Sequence, residues 1–501
     1  MNSRELLNIC MNSDKNIKHK QLKILMPASE VAPLVKVGGL ADVVGSLPKA
    51  LNKLGCDARV IIPKYGCIDE KKYKLKKIFS NIKICDNKKN VKINLWQCNL
   101  PTQHAVSPIY LIECNKYFGS KKVYFKNNAE RFLFFSSAVL QILPIIKFQP
   151  DIIHCHDFHT ALIPGLLKTQ KKLNTFYKNI KSVFTIHNLN YQGKSEIKIL
   201  STGNLTEHSL KSLSQDAKDG DINFMVQGII NADAVNTVSP TYAKEITTPI
   251  YSAGLDRVIK QNKNKIIGIL NGIDIDFFNS TTDKFIKQKY SIETLNKKVL
   301  NKLALQKQLG LPQDKNIALV GFISRLAWQK GVELITDKLI NSKCQFVFLG
   351  TQIGGKQYEN QLKKLAKKYP DKVSAQIKFN TKLAQQIYAG SDIFLMPSRF
   401  EPCGLGQMIT MRYGTIPVVR KTGGLADTII NYQLSIINYQ FKSTGFIFKK
   451  FDEISLRNAL QKALKIYYQH PKIWRQLQIN CMKKDFSWNK SAKKYLDFLY
   501  C

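Results

Sequence analysis

Short apolar runs recur along the chain, each closed by glycine, proline or a polar cluster, with helical spacing between several of them. Lys23-Ile24-Leu25-Met26 predicts a first strand, left by Pro27-Ala28-Ser29-Glu30. After Gly38-Gly39, apolar residues at Leu40, Val43, Val44, Leu47, Leu51 and Leu54 recur at three and four, which predicts a helix that Gly55 ends. Ala58-Arg59-Val60-Ile61-Ile62 is the next strand. Strand, glycine turn, helix and strand form the unit that holds phosphates at a helix N-terminus, although G-x-G-x-x-G is absent. Residues 66–128 form a polar middle section, after which strands are predicted at Ile152–Cys155, Val183–Ile186, Ala234–Val238 and Ile266–Leu270. Residues 275–312 are polar and predicted helical, a connection between halves. The pattern then resumes with strands at Ile317–Ile323, Gln345–Leu349, Val373–Ile377, Ile393–Met396, Ile416–Val419 and Gly445–Phe448. Ser487 is expected to N-cap a last helix carrying Trp488, Tyr495, Leu496, Phe498 and Leu499.

Apolar strands alternating with helices predict parallel sheets, whose ligands bind beyond the strands' carboxyl ends. Pro397-Ser398-Arg399-Phe400-Glu401-Pro402-Cys403-Gly404-Leu405-Gly406-Gln407 is such a strand exit. Its Glu401 could cap the next helix or hold a polar ligand. A repeated loop favours the ligand: Lys421-Thr422-Gly423-Gly424-Leu425-Ala426-Asp427 nearly duplicates Lys36-Val37-Gly38-Gly39-Leu40-Ala41-Asp42. Two copies of one strand-exit loop imply two similar halves facing a cleft. Arg325 and Lys330 bracket another strand exit and predicted helix start, a suitable place for a diphosphate. The Ile430-Asn431-Tyr432-Gln433 segment recurs at 437–440 and reads as a loop expansion.

At 501 residues the chain exceeds one ordinary core, and its 44% hydrophobic content excludes wholesale disorder. No apolar run is long enough to span a bilayer, and residues 1–20 read as a Lys/Asn-rich disordered tail without a secretory core. The formal charge of +40 invites a nucleic-acid partner. Its carriers are mostly Lys, scattered among Asn and Ile, with no nucleic-acid module, so compositional drift is the better account. The 11 cysteines form no C-x-x-C pair, which fits free thiols in a reducing cytoplasm. His154, Cys155, His156 and His159 suggest a metal, but on a strand Cys155 faces away from His154 and His156, and no second ligand cluster accompanies them.

These motifs together resemble the bacterial-type glycogen (starch) synthases of glycosyltransferase family 5. The resemblance rests on Lys36–Gly45, His154–His159, His187-Asn188-Leu189-Asn190-Tyr191-Gln192-Gly193, Asn236–Tyr242, Asn271–Asp274, Ser324–Gly331, Pro397–Asp427 and Asp485–Trp488, collinear over about residues 21–500. It implies the GT-B fold: α/β, two Rossmann-like domains (21–268 on the acceptor side, 269–480 on the nucleotide-sugar side) facing a cleft, with 481–501 crossing back as a helix. It implies retaining transfer of glucose from ADP-glucose to the non-reducing 4-hydroxyl of an α-1,4-glucan, in the cytoplasm, with no metal or other cofactor. Lys36, Gly38 and Gly39 would meet the donor from the N-terminal domain, and Arg325 and Lys330 would neutralise its diphosphate. Glu401 would contact the glucose, with Cys403, Gly404 and Leu405 in the same loop and Thr422 and Gly423 beside it. His187, Asp157, Asp42 and Asn188 would line the sugar or acceptor side, and Phe379 would stack on the base.

Several positions depart from the family pattern. Phe158 stands for a usual Trp, Val226 for a common Lys, and Gln352-Ile353-Gly354-Gly355 for a Gly-Asp. Lys378-Phe379 replaces Gly-Tyr, which keeps a stacking face but loses a hydroxyl. Related retaining enzymes carry a second Glu where this chain has Ile409, which favours a same-face mechanism with a phosphate oxygen as base. Alternatives are a UDP-glucose donor or a catalytically silent glucan binder; the cations at 325 and 330 argue against a mere binder.

Overall fold

The computed structural model describes residues 21–100, 107–352, 355–433 and 442–500. The tail expected over 1–20 and the second repeat at 437–440 lie outside the described residues. The apolar runs assemble into two large sheets whose central strands bury both faces under helices. The first is nine-stranded, in the order Ile266–Gly268, Ala234–Thr237, Lys181–Ile186, Ile152–His156, Lys23–Pro27, Asp57–Pro63, Ser107–Glu113, Lys89–Leu100 and Lys76–Asp86. Pairing is parallel from Ile266–Gly268 to Ser107–Glu113 and antiparallel for the last two strands. The second is six-stranded and parallel, in the order Val373–Ile377, Cys344–Gln352, Ala318–Leu326, Ile393–Met396, Ile416–Arg420 and Phe446–Phe448. These are two Rossmann-like domains in GT-B arrangement.

The polar middle section is not irregular: Lys76–Asp86 and Lys89–Leu100 form a hairpin at the sheet edge. The outer strand is largely exposed, so its polar positions hide the alternation. Its turn residues Asn87 and Lys88 both take positive φ, 49° and 57°, as a primed two-residue turn requires. Asn-Lys in place of Asn-Gly masks that turn in the sequence. The connection at 275–312 is also not a continuous helix. Only Lys298–Gln308 is α-helical, after a short 3-10 turn at Leu295–Lys297. The irregular part before it is pinned by side chains: Tyr290 donates to the Tyr413 carbonyl at 2.8 Å, and Tyr413 donates to Asp283 at 2.7 Å.

The last helix, Trp488–Leu499, crosses back onto the first domain. Asn236 Nδ2 donates to Tyr495 Oη at 3.1 Å, and the Tyr500 hydroxyl lies 2.6 Å from His154 Nδ1. Leu499 packs inside while Phe498 faces out. Ser487 stands at the N-cap position, but its side chain makes no capping bond; Asp485 accepts its amide instead at 2.8 Å. The two chain crossings between domains touch each other. Ile273 N donates to the Phe486 carbonyl at 2.8 Å, and a Cβ at Gly272 would lie 2.7 Å from the Trp488 backbone. No helix among the described residues is long and apolar enough to cross a membrane.

A buried ion pair anchors the connection to the second sheet. Lys302 Nζ donates to Asp392 Oδ2 at 2.8 Å, to the Ile317 carbonyl and to Tyr467 Oη, with only 3% of the lysine side chain exposed. Removing one partner strands a buried charge. Lys302→Ala should therefore cost about 3–5 kcal/mol in urea unfolding of the C-terminal domain, against about 1 kcal/mol or less for the exposed Lys363–Glu359 pair.

Candidate active site

The candidate residues gather at the carboxyl ends of the parallel strands, on both lips of the cleft. On the C-terminal lip, Ala318–Leu326 carries Arg325 within its last turn of sheet, so the strand runs further than its apolar core predicts. It is paired in register with Cys344–Gln352, which keeps Arg325 extended beside Thr351. The guanidinium makes no hydrogen bond or ion pair with the described residues. Lys330 does not open an α-helix: it ends a 3-10 turn, Trp328–Lys330, closed by Gly331 at φ +67° and followed by a second 3-10 turn. Glycine is required there, because a Cβ would lie 2.0 Å from the Pro397 carbonyl oxygen.

That close approach sets Lys330 against the Pro397–Gln407 loop. Its ammonium spans both oxygens of Glu401, at 2.8 and 2.6 Å, and Ser398 Oγ donates to Glu401 Oε2 at 2.9 Å. Glu401 is thus a buried, paired carboxylate and does not cap the following helix, Gly406–Arg412. Gly404 takes φ +71°, and Gln407 Nε2 donates to the carbonyls of Cys403 and Gly404. Burial pushes the Cys403 thiol up to about 12, so it stays protonated at neutral pH. Leu405 reaches the opposite lip, where a Cβ at Gly39 would lie 3.7 Å from its Cδ1. Phe379, just past Val373–Ile377, is 72% exposed and presents an open ring face.

The two glycine loops are held in one way by different partners. In the first copy, Glu30 accepts the amides of Val37 and Gly38, the latter at 3.0 Å. In the second, Glu245 of the other domain accepts the Thr422 hydroxyl at 2.9 Å and the Gly423 amide at 3.1 Å. The second loop is also wedged against the first strand exit: Gly424 N donates to the Glu401 and Pro402 carbonyls at 3.1 and 3.2 Å. The matching aspartates differ as well. Asp42 pairs with Lys36 at 2.6 Å, whereas Asp427 accepts the Thr241 amide and hydroxyl across the interface at 2.8 and 2.7 Å.

On the N-terminal lip, Asp157 leaves Ile152–His156 with φ +52°, a costly conformation for a non-glycine residue, and is buried. Its Oδ1 accepts the amides of His187 and Asn188 at 2.7 and 3.3 Å. Burial still pushes its carboxyl up to about 7. Because Asp157 takes the His187 amide and His156 takes its ring Nε2, that residue has its ring Nδ1 and its carbonyl left to offer a ligand. The ring's Nε2 lies 3.0 Å from His156 Nδ1, and His154 Nε2 lies 2.5 Å from Thr185 Oγ1. These histidines are thus bonded among themselves and to hydroxyls, while His159 stacks on Tyr124 with ring centroids 5.1 Å apart and lies tilted against Phe158 at 3.9 Å. Asn188 Nδ2 reaches Gln329 Oε1 across the cleft at 3.4 Å.

The structure therefore brings Lys330 and Glu401 into direct contact, and likewise Asp157, His187 and Asn188, while Gly39 approaches Leu405 of the other lip and Lys36 pairs with Asp42 on its own side. Glu30, Ser398 and Glu245 are partners that sequence reading missed. Glu30 was visible as an acid leaving the first strand just ahead of the glycine loop. Glu245 carries no local signal, since its partner lies 177 positions away. A surface depression of about 410 Å³, lined by Lys338, Asn341, Ser342, Arg457, Asn458 and Gln461, lies at the other end of the second sheet and shares none of these groups.

Two parallel-sheet domains with polar strand exits meeting across a cleft define a GT-B glycosyltransferase. Residues 23–261 match the family described as Starch synthase catalytic domain, and residues 301–477 match Glycosyl transferases group 1. Glycogen synthases of Thermotoga maritima and Clostridium beijerinckii are 43% and 44% identical, in each case over 95% of this chain and 98% of theirs. The catalytic domain of Starch Synthase IV from Arabidopsis thaliana, bound to ADP and acarbose, superposes with a TM-score of 0.87 at 35% identity, over 96% of this chain and 99% of that one. Sucrose-phosphate synthase from Thermosynechococcus elongatus, at 17% identity and a TM-score of 0.59, shares the fold. The chain belongs to the glycogen and starch synthase family of glycosyltransferases.

The buried histidines make stability acid-sensitive. Burial lowers His154, His159 and His187 to about 3, and His156 well below its ordinary 6.5. The unfolded chain binds these protons first, so their contribution is complete above about pH 6.5 and is lost as pH falls toward 3. Asp157, raised by burial to about 7, acts in the opposite sense, as do Glu30, Asp42, Asp216 and Glu245, whose carboxyls burial also raises; the four histidines, all lowered, are expected to outweigh them. The urea midpoint should fall steadily from pH 6.5 to 4, and His154→Gln should flatten that slope.

Proposed function

We propose that the protein transfers glucose from ADP-glucose to the non-reducing 4-hydroxyl of an α-1,4-glucan with retention of configuration. The observation that carries this reading is the Lys330–Glu401 pair, set where the strand that carries Arg325 ends, with the Arg325 guanidinium left without a hydrogen bond or ion pair among the described residues. Arg325 and Lys330 would take the charge that builds on the diphosphate as the glycosidic bond breaks, with Lys36 approaching from the other lip. Phe379 would stack on the base. Glu401 would hold the sugar, while Asp157, His187 and Asn188 line the sugar and acceptor side, with Gly38, Gly39 and Asp42 at the first loop. Cys403, Gly404, Leu405, Thr422 and Gly423 would shape the wall around the donor. On this reading residues 21–268 serve the acceptor, 269–480 the donor, and 481–501 tie the two together.

The mechanism follows from how Glu401 is held. A carboxylate with both oxygens on one ammonium and a third bond from Ser398 has little electron density free for attack. Ile409, where related enzymes carry a second Glu, is buried and apolar. Both features support departure and attack on one face of the sugar: the C1–O bond to the phosphate breaks, and a phosphate oxygen takes the proton of the incoming hydroxyl. That chemistry needs no metal. The relative bound to ADP supports an adenine donor, and a cytoplasmic setting would supply both substrates.

Labelled glucose should pass into glycogen from ADP-glucose in excess EDTA, with UDP-glucose competing poorly; preferential use of UDP-glucose would overturn the donor assignment. Arg325→Ala and Lys330→Ala should each lower kcat/KM by about 10²–10³-fold, and Arg325→Lys should stay impaired because a point charge does not reproduce a planar fork. Near-native turnover in both alanine variants would place the diphosphate elsewhere.

A further inference from the structure

Lys36 is exposed, and its one partner among the described residues, Asp42, lies in the same loop-helix unit, so something else must fix where the loop stands. The chain leaves Lys23–Pro27, makes a tight excursion closed by the Val31–Val35 bridge, and returns so that Val37 and Gly38 face Glu30. Glu30 is 3% exposed and accepts both of their amides. Its other oxygen accepts Tyr124 Oη at 3.1 Å; that hydroxyl lies 2.8 Å from Ser29 Oγ, and Tyr65 donates to the Ser29 carbonyl at 2.8 Å. The carboxylate is therefore fixed from behind by the half-buried Tyr124, with the buried Tyr65 steadying the neighbouring Ser29, and holds the loop from the front.

Glu30 sits at the N-terminal end of the 15-residue helix Gly39–Lys53, whose N-cap residue, Gly38, has no side chain to cap with. It supplies the anion that end of the helix favours. The amides of Val37 and Gly38 are thereby spoken for, and what the loop offers a donor is the Lys36 ammonium and the open backbone at Gly39.

We propose that Glu30 is the positioning residue of the Lys36 loop, setting the height of Lys36 and Gly39 over the donor without touching the donor itself. This rests on the donor reading given above. Glu30→Gln keeps the size and can leave its carbonyl oxygen on both amides, but it removes the negative charge that strengthens those two bonds and suits the helix N-terminus, so the loop should be held less tightly. The KM for ADP-glucose should rise about tenfold while the KM for glycogen stays unchanged. Glu30→Asp should fall between the two, and Tyr124→Phe, which keeps both amide bonds, should shift the donor KM in the same direction but less.

A merely structural role would lower both substrates' kcat/KM together and would add to any other lesion. A positioning role predicts that Glu30→Gln costs little more once Lys36→Ala has been made. Hydrogen exchange provides a readout without turnover: in Glu30→Gln the Val37 and Gly38 amides should exchange about tenfold faster or more, with the Tyr65 and Tyr124 neighbourhood unchanged. Unchanged exchange at these amides, or fully additive losses in the double variant, would overturn the proposal. Faster exchange in a protein whose unaltered form transfers glucose from no nucleotide donor would instead overturn the donor reading and leave the loop anchor standing.

Discussion

A buried carboxylate has to be matched by charge and hydrogen bonds, and in this protein meeting that requirement at Glu401 organises the C-terminal lip. Lys330 and Ser398 satisfy it. To bring Lys330 there, the Trp328–Lys330 turn must press on the backbone of the neighbouring strand exit, which is possible only with glycine at 331. The same crowding recurs at Gly423 and Gly424, where an added Cβ would lie 2.0 Å from the carbonyl oxygens of Glu401 and Cys403. Three strand exits thus interlock through backbone, and one ion pair sits where they meet.

Around that knot the charges are arranged unequally. Among the described residues the Arg325 guanidinium has no hydrogen-bond or ion-pair partner, while Lys330 is fully engaged by Glu401. Opposite, the histidine cluster is neutral and Asp157 is held near the middle of its titration by burial. The basic excess of the chain is carried by lysines over the rest of the surface, and the cleft's own chemistry rests on a few paired groups.

Much of this was legible in the sequence because strand exits in parallel sheets announce themselves: an apolar run, then glycine, proline and polar residues. The duplicated Lys-x-Gly-Gly-Leu loop carried the two-domain reading. What stayed hidden had physical reasons. The edge hairpin turns on Asn87-Lys88, so it lacks the usual glycine signal, and its outer strand faces solvent. The connection at 275–312 has helix-compatible composition but is held irregular by Tyr290 and Asp283, through partners more than a hundred residues away. Ser487 has the right residue type for a cap, yet the parallel bridge to Ile273 keeps its backbone in the chain crossing and its hydroxyl unused in capping. The strand Ala318–Leu326 runs past its apolar run because nine backbone pairs with Cys344–Gln352 carry it on.

The difference between the two glycine loops bears on how such domains can be recombined. The first loop brings its own carboxylate, since Glu30 precedes it on the same strand exit. The second borrows Glu245 from the other domain, along with the Thr241 contact to Asp427. A chimera that exchanged the C-terminal half for that of a relative would carry the second loop away from its acid, and would inherit a working wall only if the recipient placed an equivalent carboxylate after its own Ala234–Thr237 strand. The two halves look like interchangeable modules in topology, yet they are not autonomous cassettes: part of what holds one module's glycine loop is encoded in the other.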